Sequence, residues 1–486
     1  MISDELLSFL LLLFSFGAAR ADVLTYPYLQ DLDPNQAVIC WVSHEAEPVP
    51  VRWLGNEALS QAKPAPSLNY HPVELAEFPT LSNQPRYLHS VTLNGFEELS
   101  QVEYTVEFPE EPYQSKFATL PSPQTPVRLI AYADSETEPE STGKPAKWGT
   151  VEEPGRRYLV DQTTGYQANL RSIAERTPTA VLIAGDLVES GGEQRDWDEF
   201  WRHKKVIAGA IPFLTAPGNH EYYAGPKNHG GYGTEASRAA IAKYRTYFPK
   251  PYYSRELGKV TLISLDSNDS LPHKSSADSN HYLEAAGDFA PSFHPESEQV
   301  RWLEKELAEA QKKGQFLVVM FHHCPYSSGV HGFPPGEGEQ LDPQSGQPLR
   351  ALTPLFLKYG VDLLLTGHDE MMERSRITGT ETTPDGNTRP TTLLIYDVGI
   401  GGDGLRGPRR ENEFREFLAY QDSEELWEDG TLRSGGRHYG HLEIDVVPGE
   451  DGWEATLTPV YLLPVRKGDA WEFQRREYPD PMELSN

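Results

Sequence analysis

Residues Leu363–Arg374 read LLLTGHDEMMER. An apolar run ends in Thr-Gly-His, and the carboxylates of Asp369 and Glu370 follow at once. Polar groups delivered at the tip of a buried strand suit a ligand better than a core. Four upstream stretches share the pattern: AYADSE (131–136), IAGDLVE (183–189), APGNHEYY (216–223) and MFHHCPYSS (320–328). In α/β sheets ligands gather beyond the carboxyl ends of the strands. The tips supply Asp134, Glu136, Asp186, Glu189, Asn219, His220, His322, His323, His368 and Glu370. Carboxylates, imidazoles and one amide oxygen are the donors of a metal centre. An Asp able to bridge two ligand groups suits a pair of ions, which clamp the attacking and leaving oxygens of a phosphoryl group. Singly, an Asp after a strand is ordinarily a turn or cap, and a His pair before Pro is ordinarily packing. Their succession in chain order is what argues for a site.

Outward from the tips, apolar strands alternate with helical periodicity. VRLIAYAD, TAVLIAGD, PFLTAPGNH, VTLISLDS, QFLVVMFHH, VDLLLTGHDE and TTLLIYDVG read as strands. YLVDQTTGYQANLRSIAER, WDEFWRHKKVIAG and SEQVRWLEKELAEAQKKG read as helices, the last with a Gly stop. This is α/β architecture with buried strands. HYGHLEIDVV and WEATLTPVYLL return to antiparallel alternation. Residues 22–122 hold short β-branched and aromatic runs at sandwich spacing, and ATLPSPQTP (118–126) is a linker. The polar loop after Asp134 is long enough to expect a functional or mobile role.

The net charge of −29 over 486 residues argues against a nucleic-acid backbone partner, which needs basic surface. Residues 1–21 combine an apolar Leu6–Phe16 stretch with Ala19-Arg20-Ala21, so a signal peptide and export, periplasmic or secreted, are expected. The acidic start (Asp4, Glu5) leaves a buried strand or a wrongly assigned start as the other reading. No stretch reaches the about 18 apolar residues of a membrane span. Cys40 and Cys324 fall in different expected domains, so no disulfide is expected between them.

The ordered motifs DSE, GDLVE, GNHE, VVMFHHCPYSS and GHDE resemble those of calcineurin-like metallophosphoesterases, specifically the purple acid phosphatase branch. YPYLQDLDPNQAVICWV near the start is similar to the fibronectin-like domain preceding the catalytic domain there. The resemblance implies a four-layer α/β/β/α phosphoesterase domain over 127–465, a fibronectin III-like β-sandwich over 22–122, and a C-terminal tail over 466–486. It implies two divalent ions. Asp186 bridges; Asn219, His322 and His368 hold the second ion; Asp134 and residue 370 hold the first. His220 contacts the phosphoryl group or protonates the leaving group. Alignment on Tyr-Ser-Ser favours His322 as the ligand, with His323 and His331 as substrate contacts.

Three departures cluster. Glu370 replaces a His, Glu136 a Gly or His, and Glu189 the tyrosine that colours the purple enzymes. On the family geometry all three join Asp134 and Asp186 around the first ion. An oxygen-only set suits Mn²⁺, Mg²⁺ or Ca²⁺, and its His-bearing neighbour Zn²⁺, Mn²⁺ or Fe²⁺. No tyrosinate-iron colour is expected. The other reading has some glutamates facing solvent and a weak first site. The resemblance implies hydrolysis of a small phosphorylated substrate, a mono- or diester, by a metal-bound hydroxide. Two rivals remain: an exported binding protein that has lost turnover, and an enzyme for an unusual substrate, with Trp148 in the long loop stacking a base or sugar.

Overall fold

The computed structural model describes residues 23–97, 100–141, 158–225, 233–269, 272–283, 289–419, 425–450, 452–468 and 470–486. The expected signal peptide and Trp148 lie outside them. Short alternating runs build the first eight strands: β1 (Val23–Asp33), β2 (Gln36–Ser43), β3 (Pro50–Trp53), β4 (Asn56–Leu59), β5 (Gln61–Pro64), β6 (Tyr87–Asn94), β7 (Gln101–Val106) and β8 (Tyr113–Ala118). They pair as two four-stranded antiparallel sheets, ordered β1-β2-β6-β5 and β4-β3-β7-β8. Ile39, Trp41, Val91 and Leu93 of one share a core with Val51, Val102, Tyr104 and Val106 of the other, making a β-sandwich.

The sandwich is docked firmly on the larger α/β part of the chain. Arg86 forks onto Asp198 at 2.7 and 3.0 Å. Glu74, in the short helix α1 (Pro72–Glu77), accepts from the N–H groups of Gln194 and Arg195. Tyr28 stacks on Trp201 with ring centroids 4.2 Å apart. Cys40 and Cys324 are both buried and unbridged.

The larger part begins with β9 (Val127–Tyr132), α2 (Gln162–Arg176), β10 (Ala180–Ala184), α3 (Gln194–Lys204), β11 (Phe213–Ala216) and α4 (Thr234–Tyr247). It continues with β12 (Tyr253–Leu257), β13 (Val260–Ser264), α5 (Glu298–Lys312), β14 (Phe316–His323), α6 (Thr353–Lys358) and β15 (Leu363–Gly367). β16 (Met372–Thr382), β17 (Thr388–Val398), β18 (Arg415–Leu418), and the small pair β19 (Leu426–Glu428) and β20 (Thr431–Ser434) come next. β21 (Gly440–Pro448), β22 (Trp453–Lys467), β23 (Ala470–Glu477) and β24 (Met482–Ser485) complete the chain. One seven-stranded sheet runs β11-β10-β9-β21-β22-β23, with β24 also on β22. The other runs β12-β13-β14-β15-β17-β16-β18.

Period-two burial sorts the layers. Leu129, Ala131, Leu182 and Ala184 face Val318, Met320, Leu363 and Leu365 in a core between the sheets. Their neighbours Ile130, Tyr132, Val181 and Ile183 pack outward on Tyr166, Leu170, Trp197 and Phe200 of α2 and α3. On the opposite side Val319, Phe321 and Leu364 meet Leu303, Leu307 and Phe356 of α5 and α6. The order is therefore α/β/β/α, as expected. Residues 466–486 are not a separate tail: β22 runs to Lys467, and β23 and β24 both pair with it. Among the described residues no helix is long and apolar enough to cross a membrane.

Candidate metal centre

The central parallel strands end at one place, and their turns depart from ordinary backbone there. Asp134 (φ 57°), Glu136 (30°), Asp186 (51°), His368 (83°) and Glu370 (48°) all lie in the left-handed region. Such positions cost roughly 1–3 kcal/mol each and persist where the surroundings over-determine them. Gly218 is required by close approach: a Cβ there would sit 2.0 Å from the Asp186 Oδ1.

Four ligand-type atoms converge. The His322 Nε2 is 2.9 Å from the Asp186 Oδ2, 2.8 Å from the Asn219 Oδ1 and 3.1 Å from the His368 Nδ1. The other nitrogens are committed: the His322 Nδ1–H donates to the Ala184 carbonyl (2.9 Å), and the His368 Nε2–H to that of Gln344 (2.7 Å). Each ring therefore turns its remaining nitrogen inward. The Asn219 Nδ2 donates to the Tyr223 Oη (2.9 Å), which donates to the Gln344 Oε1 (3.0 Å), so the amide oxygen also faces in. Burial works against the Asp186 carboxylate, but His322 and His220 more than offset it and hold its pKa below the usual range. Donor atoms this close fit a divalent cation with mixed N/O ligands, whose binding displaces any proton held among them.

Beside them Glu136, Glu370 and Asp403, all buried, bring carboxylate oxygens within 4.8 Å of one another. Burial, then the Asp403 charge, pushes the Glu136 carboxyl far above its ordinary range. A hard divalent ion relieves that repulsion, so the two clusters together can hold two divalent ions. Asp186, Asn219 and His368 of the first cluster and all three carboxylates of the second line a cavity of about 450 Å³.

His220 stands at its wall. The Nδ1–H donates to the Glu189 carbonyl (2.7 Å), and the Nε2 lies 3.7 Å from the Glu136 Oε1 and 3.9 Å from the Asp186 Oδ2. His331 also lines the cavity; its ring lies over that of His368 at 3.6 Å, and its Nδ1 meets the Asp342 Oδ2 at 2.7 Å.

Three of the expected site residues stand apart from the converging atoms. Asp134 is fully buried, and both its oxygens accept from the His368 N–H (3.0 and 2.9 Å). His323 is fully buried, bound through Nδ1 to the Ser267 Oγ (2.9 Å) and packed under His368; it does not line the cavity. Adjacent residues of a strand point oppositely, so His322 alone faces the centre. Glu189 lines the cavity, but its carboxylate is not in the converging set.

Asp403 and Arg406 were missed. They come after TTLLIYDVG in the glycine-rich loop GIGGDGLRG, a sixth strand tip that the pattern of the other five would have found. Glu221 of GNHE has a positioning role: its oxygens accept from the N–H groups of Asp186, Leu187 and Gly218 and fix the turn that presents the bridge.

The family described as calcineurin-like phosphoesterase matches residues 160–370. An uncharacterized protein of Mycobacterium tuberculosis is 26% identical over 395 residues, covering 71% of this chain and 66% of its own. Purple acid phosphatase 22 of Arabidopsis thaliana is 27% identical over 265 residues, covering 53% of each chain. Probable inactive purple acid phosphatase 27 of the same plant is 21% identical, covering 70% of this chain and 53% of its own. The chain thus spans between half and two thirds of the length of these relatives. A purple acid phosphatase from yellow lupin seeds shares the fold, with TM-score 0.59 at 18% identity over 91% of this chain and 72% of its own. Matched motifs, four layers and converging ligands agree: residues 160–370 match the calcineurin-like phosphoesterase family, and the chain shares its fold with a purple acid phosphatase.

Proposed function

We propose that this protein hydrolyses phosphate esters with the help of two divalent ions. The observation that carries the reading is the convergence of the Asp186, Asn219, His322 and His368 ligand atoms beside a second, all-carboxylate cluster. Bound there, the ions supply Lewis-acid charge that readies a water and takes up charge on the phosphoryl oxygens. The chain's own residues do the rest. Asp186 belongs to the mixed cluster and also sits beside Glu136, which suits a bridge. His220, held by the Glu189 carbonyl, has its Nε2 at the cavity wall, where a proton can pass to the leaving oxygen. His331 lies beside the space a phosphoryl group would fill.

The same proposal includes a fibronectin III-like character for the sandwich, supported by its two four-stranded sheets, and export, supported by the apolar start. A second reading, a phosphate- or partner-binding protein without turnover, draws on the altered carboxylate cluster and on the relative named as probably inactive.

The test is hydrolysis of a chromogenic phosphomonoester and diester by metal-stripped protein given Mn²⁺, Zn²⁺, Fe²⁺, Mg²⁺ or Ca²⁺ singly, with His368→Ala alongside. Metal-dependent turnover abolished in His368→Ala supports the enzyme. A folded, metal-loaded protein with no turnover supports the binding reading.

A further inference from the structure

A phosphate ester is an anion, yet six carboxylates line this cavity. Among the described residues a single Arg or Lys lines it, Arg406. Its Nη2 lies 2.6 Å from the Glu370 Oε1, and its backbone N–H donates to the Glu370 carbonyl at 3.0 Å. Its Nη1 lies 3.3 Å from the His331 Nε2, on the ring stacked over His368. The guanidinium thus reaches from the carboxylate cluster to the His-bearing one, and its side chain keeps 27% of its surface exposed. Glu370, Glu136 and Asp403 outweigh burial in keeping it charged.

A divalent ion on Glu370 competes with Arg406 for the charge of that carboxylate. The guanidinium, repelled by the incoming ion, then needs another anion, and its planar fork matches a phosphoryl group. We propose that Arg406 is the phosphate-binding arm of the site: the counter-ion of Glu370 when the carboxylate cluster holds no ion, and the partner of the phosphoryl oxygens once a divalent ion takes that cluster. This rests on the reading of the cavity as a phosphate-ester site.

Calorimetry on the full chain tests it, with Mn²⁺ titrated into stripped protein and inorganic phosphate into the Mn²⁺-loaded protein. Wild type, Arg406→Gln and Arg406→Lys are compared. Losing a charge-assisted pair predicts phosphate binding weakened roughly 10- to 100-fold in Arg406→Gln, with only part regained in Arg406→Lys. The weaker Mn²⁺ site should tighten in Arg406→Gln, because its competitor is gone. Phosphate affinity unchanged in both variants overturns the inference, as does weaker Mn²⁺ binding in Arg406→Gln. Wild type that binds Mn²⁺ but no phosphate overturns the phosphoesterase reading beneath it.

Discussion

Glu443, on β21, has a side chain only 2% exposed, and two arginines close on it. Arg176, the last residue of α2, donates from Nε (3.0 Å) and Nη2 (2.9 Å). Arg475, on β23, donates from Nε (3.0 Å), and its Nη2 lies 2.8 Å from the Glu443 Oε1. The His441 Nε2 lies 3.5 Å away. Burial pushes the carboxyl up, but His441 and the arginines outweigh it and bring the pKa down to about 2 from 4.5. A depressed carboxylate pKa stabilises the fold above the unfolded value, and that stability is lost as pH falls from 4.5 toward about 2. The shift converts to about 3 kcal/mol. Water at the partly exposed arginines trims this to ~2 kcal/mol. Glu443→Gln removes the charge and keeps the shape. Urea unfolding followed by tryptophan fluorescence should show that deficit, constant from pH 8 to 5. Below pH 4.5 it should shrink as the wild type loses the same stabilisation. A deficit that stays level down to pH 3, or none at pH 7, refutes the reasoning.

His220→Asn should lower kcat by roughly 10²- to 10⁴-fold. Esters with good leaving groups should suffer least, with metal content by elemental analysis unchanged; an equal loss for all leaving groups would remove the general-acid role. Tyr223→Phe leaves the Asn219 amide free to turn, so Mn²⁺ affinity by calorimetry should fall on the order of tenfold. Stripping the ions should lower the unfolding temperature, and each ion returned at ~100 times its Kd should restore about 2.7 kcal/mol. Return of Mn²⁺ to stripped His368→Ala should restore less than to wild type.

Strands buried on both faces, such as β10 and β14, are recovered by their continuous apolar runs, and β21 and β22 by their alternation. β16 escaped because its buried start is polar: Glu373 accepts from Ser328 and Asn412, and Arg374 pairs with Asp480. Partners distant in sequence satisfy those groups, and no local period announces them. At the site, donor type and order revealed Asp186, Asn219, His322 and His368. Direction was hidden. Asp134, with its left-handed backbone, accepts from the His368 N–H, and which of two adjacent histidines faces inward depends on strand register. Arg406 reads in sequence as an ordinary loop cation; only the fold brings it to Glu370.

β9, whose end leads into Asp134, lies between β10 and β21, and the Arg128–Asp445 pair ties β9 to β21 across 317 positions. A chain made from its N-terminus holds β9, β10 and β11 long before the strand that seals their open edge exists. Pairings so remote in sequence are slow to form. The metal centre therefore belongs to the finished molecule: a nascent chain displays most of its ligands but lacks the sheet that holds them in register. The order of the strands along the chain, as much as their geometry, thus sets when those ligands can first be held together.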